Sequence, residues 1–574
     1  MLCNITKPTV SHDPLNYSGF RIPIAFLKDK TILKKELLDD LEIIHGEHPL
    51  YENVLNADDE FKKLIISQLS KWYTTNVPFL TDTQKIIVGD IPVPPDYKCI
   101  MELRKNKLDL DHFKEKYNYI EWEKLQFINK NSQAMQYLSI YNICSPILSL
   151  ALPLFMLIIP FFMIRLQGVK ITLTAYYHYL QIVLMNHSLG QLFYIGNATW
   201  DKRIMIIASF LFYVIQIYFN AQSCIKFVKN MTHIHEHIFA VRDYLSSTLT
   251  SIHYINDVWN SYSTYKPFLE NCKKYADVVS VICKELEQIT PLRLSFSKLS
   301  DIGKVMRVNY MLHMEEEWKE TIDFCIYYNS YIHSMNAIKT KIEEKCIQYC
   351  KFGETTQFKK IYYPHINSSE VVTNNIQLKK NIIITGPNAS GKTTILKSVM
   401  ISTILCQQFG CGFFSKATIK PYDILSSYIN IPDSSGRESL FQAEACRCKF
   451  ILDDMTKYEN KTHLCIFDEL FSGTNPYEAI GAATSYLKYI SNKKNVSFIL
   501  TTHFLDLCKR LNECYQIRNM QMQIETGTDE EFLYKYKILD GISQVKGGIK
   551  VLTDMGYPRE IIEESKKIIS EITF

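Results

Sequence analysis

The spacing of apolar positions changes three times along the chain. Up to about residue 130, apolar and polar residues alternate at helical intervals in Leu33–Ile44 and Glu60–Trp72, and the run Ile91-Pro-Val-Pro-Pro-Asp96 breaks the pattern. This predicts a mainly helical N-terminal region, 1–130. From 131 to 230 charge nearly vanishes: every residue is uncharged from Asn131 to Ile164 and again from Ile204 to Ile225. Within those runs, 145–164 and 204–225 are each long enough, as a helix, to cross a ~30 Å hydrocarbon layer. The stretch between them, Ile171–Trp200, lacks Asp, Glu, Lys and Arg but carries His178, Asn186, His187 and several Tyr, which suits an interfacial or re-entrant position. Over 231–354 charge returns, with apolar residues at three- and four-residue steps, so long packed helices are expected with breaks at Pro267 and Pro291. From 355 to 574, short β-branched runs at 382–385, 464–467 and 497–502 alternate with helical segments, predicting an α/β domain with a parallel sheet.

Composition narrows the class. The 574 residues carry 64 basic and 60 acidic side chains, a net charge of +4, too small for a scaffold held to nucleic acid by bulk charge. With 47% hydrophobic and 13% aromatic residues the chain is not globally disordered, and its length allows three to five domains at roughly 100–200 residues each. Sixteen cysteines are scattered without a Cys-x-x-Cys pair, and Met1–Pro14 has no basic start followed by an apolar run. A reduced, intracellular chain without a cleaved signal is therefore expected.

The sharpest chemistry lies at Gly386-Pro387-Asn388-Ala389-Ser390-Gly391-Lys392-Thr393-Thr394, which fits G-x-x-x-x-G-K-[ST] between an apolar strand and a helical run. In such a loop, backbone N–H groups close around phosphate oxygens, Lys392 reaches the β- and γ-phosphates, and the Thr393 hydroxyl faces Mg²⁺. This predicts binding of a nucleoside triphosphate. Some 75 residues on, the strand Leu464–Phe467 ends in Asp468-Glu469, where Asp468 can hold Mg²⁺ and Glu469 can polarise a water. A solvated strand end is the ordinary alternative for two such acids, and the P-loop tips the balance toward hydrolysis. His503, directly after Ile499–Thr502, can sense the γ-phosphate or serve only structure.

Taken in order, the P-loop, Ser439-Leu-Phe441-Gln-Ala-Glu444, Asp468-Glu469 followed by Gly473-Thr474, and Thr501-Thr502-His503 resemble the ATPase domain of the MutS family, the DNA mismatch-repair branch of the ABC-type ATPases. Tyr363-Pro364 and Val372-Thr-Asn-Asn375 join the resemblance upstream. Downstream, Asp540–Ser543, Gly547–Val551 and Met555–Pro558 are similar to the family's closing helix–turn–helix dimer contact. The resemblance spans roughly 355–570 and implies ATP and Mg²⁺ as ligands. It also implies a homodimer, or a heterodimer with a related subunit, in which Lys392, Thr393, Asp468, Glu469 and His503 act in cis while Ser439 reaches the nucleotide of the partner. Residues 231–354 resemble, more weakly, the family's lever and core, which couple ATP state to a clamp on duplex DNA.

The chain also departs from that family. Ala389-Ser390 and Thr393-Thr394 replace the usual Met-Gly and Ser-Thr, Leu470-Phe471-Ser472 replaces Ile-Gly-Arg, and no mismatch-reading Phe-x-Glu is found near the N-terminus. These features are closer to a divergent MutS-related branch. Two functions are thus expected as alternatives: an ATPase that clamps mismatched or unusual duplex DNA, or a membrane-anchored ATPase that uses the same engine for remodelling or tethering. In the second case the lipid bilayer is a partner and the ATPase faces the cytosol. Basic residues flanking the apolar spans are balanced, so their count leaves topology open. Helices buried in a protein core are the alternative for the spans themselves. An ABC transporter is disfavoured by the absence of Leu-Ser-Gly-Gly-Gln.

Overall fold

A computed structural model describes residues 19–106, 110–168, 170–193, 195–291, 301–364, 371–429, 431, 440–526, 532–543, 549, 552–553 and 555–571. The chain folds as two compact units, built chiefly from 95–249 with 275–325, and from 20–94 with 250–274 and everything after 325. These units cut across the consecutive zones expected at 1–130, 131–230, 231–354 and 355–574. The physical reason is helix continuity: Trp200–Trp259, Lys266–Glu287 and Glu316–Glu343 each contribute to both units, because backbone hydrogen bonding continues where composition changes.

In the first unit, α1 (Ser132–Phe155) is capped by Asn131, whose side chain accepts from the N–H groups of Gln133 and Ala134 at 2.9 and 3.1 Å. The next helix, α2, spans Ile159–Leu166, so the single helix expected over 145–164 is interrupted at 156–158. Pro160 stands in the first turn of α2 and has no N–H for the Met156 carbonyl, which favours a break there, although Pro146 and Pro153 are accommodated within α1. Helix α3 (Leu173–Met185) follows, capped by Thr172, and the expected 204–225 span lies inside the 60-residue α4 (Trp200–Trp259). Helix α5 (Ile302–Met314) approaches α1 closely at Gly303, where a Cβ would stand 2.2 Å from the Ser132 carbonyl oxygen.

The second unit is organised by a six-stranded sheet. Its strands are β1 (Asn381–Thr385), β2 (Ile424–Tyr428), β3 (His463–Asp468), β4 (Val496–Thr502), β5 (Ile517–Thr526) and β6 (Phe532–Asp540), in the order β6-β5-β1-β4-β3-β2. All neighbours are parallel except β5 and β6. The isoleucine run of β1 is buried on both faces, as a central parallel strand requires. Helices α6 (Lys392–Phe409), α7 (Leu440–Lys457) and α8 (Pro476–Ser491) follow β1, β2 and β3. Tyr428, Phe467, Leu487 and Phe498 lie in the core between sheet and helices. A smaller sheet runs in the order Asn374–Gln377, Gln357–Ile361, Lys416–Ile419, Gln348–Phe352, Cys411–Gly412. Its strand Gln348–Phe352 lies within the 231–354 zone expected to be helical.

Residues 20–94 belong to this second unit and brace α6. The Gln408 amide donates to the carbonyls of Leu69 and Trp72 at 2.8 and 2.7 Å, and that of Gln407 to Thr74 and Tyr422 at 3.1 and 2.8 Å. At the helix end, Gln84 donates to the carbonyls of Cys350 and Gly410 at 2.8 and 2.7 Å. Gly410 takes φ +71° and leaves no room for a Cβ, which would meet Gln84 Cγ at 2.5 Å. Asp40 closes the free edge of the sheet, accepting from Ser427 Oγ at 2.6 Å and Arg447 at 3.1 Å, while burial raises its pKa. All the described cysteines are free thiols.

Candidate functional site

The loop leaving β1 and the carboxyl end of β3 open onto one cavity of about 900 Å³, whose lining includes Asn388 to Ile395, Asp468 and Glu469. The P-loop leaves β1 through Ala389 at φ +61° and Gly391 at φ +91°, conformations that curl the backbone before α6 begins at Lys392. A Cβ on Gly391 would stand 3.1 Å from the ring of Tyr536. Ser390 Oγ donates to the Pro387 carbonyl at 2.7 Å, and buried Lys392 donates from Nζ to the carbonyls of Gly386 and Pro387 at 2.9 and 3.0 Å. Burial lowers the Lys392 pKa, against the pull of Glu469 and Asp468. The loop thus holds its ammonium on its own carbonyls, at the mouth of a helix N-terminus.

Across the cavity, Thr393 Oγ1 donates to Asp468 Oδ2 at 2.7 Å, and Thr501 donates to the other carboxylate oxygen. Asp468 is thereby fixed from one neighbouring strand and one helix. Glu469 follows in a left-handed turn, φ +51°, with its N–H on the Thr501 carbonyl at 3.0 Å. That turn swings its carboxylate to 3.8 Å from Lys392 Nζ and 3.6 Å from His503 Nδ1. The His503 imidazole, and then Lys392, hold the Glu469 carboxyl below its ordinary range despite partial burial. His503 is half exposed, its ring tilted against Phe504 at 4.4 Å. Gly386 through Thr394, Asp468, Glu469 and His503 are therefore one cluster; Ser439 lies outside the described residues, as do Gly547, Gly548, Lys550 and Val551 of the closing tail.

The site also contains residues to which the sequence reading gave no role. Asn374 bridges to β6, donating to the Tyr536 carbonyl at 2.9 Å and accepting from Ile538 N–H at 2.8 Å, which sets Tyr536 over Gly391. Glu444, in the second turn of α7 and 2% exposed, accepts from Ser472 N–H, Ser472 Oγ and Gly473 N–H at 3.0, 2.9 and 3.1 Å. Tyr428 Oη adds a bond from Phe471 N–H at 3.2 Å, so the loop leaving Glu469 is anchored on both sides. The spacing within 439–444 marked the stretch, but only folding shows which loop Glu444 meets. Glu444→Ala should expose those donors, and hydrogen exchange at the Ser472 and Gly473 amides should quicken about 30-fold, the equivalent of ~2 kcal/mol per lost charged acceptor. Unchanged protection would remove Glu444 as the anchor.

Residues 382–573 match the family described as MutS domain V. The chain is 31% identical over 214 residues to the DNA mismatch repair protein MutS of Clostridium perfringens, covering 36% of this chain and 23% of that protein. It is 32% identical over 192 residues to DNA mismatch repair protein Msh2 of Dictyostelium discoideum, covering 33% of this chain and 20% of the relative. With MutS protein homolog 4 of Homo sapiens the figures are 28% over 240 residues, 39% and 25%. The chain thus spans a quarter or less of the length of these curated relatives.

Proposed function

The chain is a MutS-family protein by its domain V at residues 382–573, and from that premise we propose that it is an ATPase whose nucleotide cycle drives binding of duplex DNA. One observation carries the ATPase reading: the Thr393 hydroxyl and the Asp468 carboxylate meet at 2.7 Å beside Lys392, with Glu469 on the next residue. Two hard oxygen ligands converging beside a P-loop suit Mg²⁺, which would be held by Thr393 and Asp468 and would offset charge on the phosphates. The backbone of Gly386–Thr394 wraps the triphosphate, and Lys392 leaves its carbonyls for the phosphate oxygens. Glu469 orients a water toward the γ-phosphorus. As the new P–O bond forms and the bond to the ADP oxygen breaks, the water's proton passes to Glu469. Its low pKa keeps it ionised and makes it chiefly a positioning base. His503 orients Glu469.

Ser439 begins the segment that leads into α7, and the family resemblance gives it to the partner's nucleotide in a dimer with two composite sites. Glu444, near the start of α7, ties that helix to the loop leaving Glu469, so nucleotide engagement by one subunit bears on the loop of the same chain. The likeness to DNA mismatch repair proteins supports DNA as the partner. Filter binding of paired and mismatched duplexes, with ATP, at about 50 mM and 200 mM salt is the test, since phosphate contacts weaken steeply over that range. Retention at low salt that falls about 100-fold or more at high salt is expected. No retention of either duplex at about 50 mM salt would end the DNA reading and leave the ATPase reading standing.

A further inference from the structure

The apolar helices of the first unit are inside out relative to a water-soluble protein. Along α4, the residues after Lys226 bury one face at three- and four-residue steps, as Phe227, Met231, Ile234, Ile238 and Val241 do. Before Lys226 the order reverses: Ile204, Phe212 and Phe219 are 64%, 73% and 62% exposed. The most apolar 18-residue window of this helix has mean hydropathy 1.9 and no buried residue. Among the described residues α4 alone is long and apolar enough to cross a bilayer; beside it α1 is exposed past Cys144, with Ile147, Leu150 and Leu154 all more than half exposed, while its first turns bury Met135 and Ser139.

What the two helices turn toward each other is polar. Tyr213 Oη donates to the Ser149 carbonyl at 2.7 Å, Asn220 Nδ2 donates to Ser149 Oγ at 2.6 Å, and Cys224 Sγ lies 3.4 Å from the Ile143 carbonyl. Contacts that rise along α1 from 143 to 149 descend along α4 from 224 to 213, so the pair is antiparallel. A polar seam under an apolar exterior is the arrangement that hydrocarbon favours, because polar groups there must find partners within the protein. Charge is confined to the ends of the pair: Arg165, Lys170, Lys202 and Arg203 at one, Lys130, Lys226 and Lys229 at the other. Trp200, 76% exposed, stacks under Arg203 at the same boundary. The 22 uncharged residues 204–225 extend about 33 Å as a helix, the thickness of a bilayer core.

We propose that α1 and the 204–225 part of α4 are an antiparallel membrane hairpin, with a lipid bilayer as the partner of their exposed faces. Both flanking chain segments then leave on one side of the bilayer, the side that supplies ATP if the domain V reading holds. The hairpin is independent of that reading. The test begins with the full chain in cells: it should sediment with membranes and resist extraction at pH 11. Purified in detergent, it should float with pure phosphatidylcholine vesicles in high salt, where the headgroups carry no net charge. Phe212→Asp with Ile215→Asp changes only exposed positions, outside the nucleotide site. It should cut the floated fraction about tenfold or more while ATP binding persists. A chain that is soluble without detergent, including one whose 204–225 segment is shielded by a second copy, would overturn the proposal. So would extraction at pH 11, or a double variant that floats like the parent.

Discussion

Lys392→Ala is expected to abolish nucleotide binding. Among the described residues lining the cavity, Lys392 is the sole cation, facing the carboxylates Asp468 and Glu469. With the ammonium present the lining charge is 1 − 2 = −1; without it the triphosphate meets −2. Lys392 also makes charge-assisted bonds, worth about 1.5–3 kcal/mol each. Affinity for ATP should therefore fall at least about 100-fold, or ~3 kcal/mol, in a titration with a fluorescent analogue. Lys392→Met separates binding from folding. The apolar chain keeps the size of the side chain but strips a donor from the carbonyls of Gly386 and Pro387 and a partner from Glu469, so the melting temperature without nucleotide should fall modestly with unfolding still cooperative. The upward shift on adding ATP should vanish. An alanine variant whose Kd stays within a few-fold of the parent would show that the backbone loop alone holds the nucleotide.

Glu469→Gln is expected to leave ATP bound and unhydrolysed. The amide keeps the size of the side chain and its reach to Lys392 and His503 but cannot take a proton, so single-turnover hydrolysis should slow by about 10²–10⁴. Retained turnover with normal binding would remove Glu469 as the base. The pH dependence has a definite sign. His503 first, then Lys392, lower the folded-state pKa of Glu469, so the ionised carboxylate persists below the ordinary glutamate range. Any stability from this cluster is complete above the unfolded-state value and is lost as pH falls through the lower folded one. The acid limb of kcat/KM, which reports the free enzyme, should accordingly lie below the ordinary glutamate range in the parent. His503→Ala removes the largest cause of the shift and should move that limb upward.

Much of the candidate site was legible in the chain. A P-loop is a local object: its glycines, lysine and threonine are consecutive, and the strand before and helix after are fixed by neighbouring residues. Asp468 and Glu469 were readable for a similar reason, since the end of an apolar strand gives them a place even before the sheet order is known. Glu444 was visible as a letter in a spaced motif, but its three donors lie 28 and 29 positions away, and no periodicity carries such a pairing. Asn374 and Tyr536, 162 residues apart, are the same case.

Zones of composition fared differently. The break at 156–158 falls just before Pro160, while Pro146 and Pro153 stay within α1, a distinction that a count of apolar residues passes over. The two compact units do not follow the four zones, because long helices carry one hydrogen-bonding pattern through changes of surface, and residues 20–94 bond to the glutamines of α6.

The sequence by itself determined the phosphate loop, the acidic strand end, the central strands and the charge-free stretches, since each depends on residues adjacent in the chain. Tertiary structure decided which distant groups meet: His503 at Glu469, Glu444 at the loop beyond it, and Ser149 at Tyr213 and Asn220. It also decided that the apolar faces of α1 and α4 point outward, because burial is a property of the packed molecule and the same letters serve a core or a bilayer.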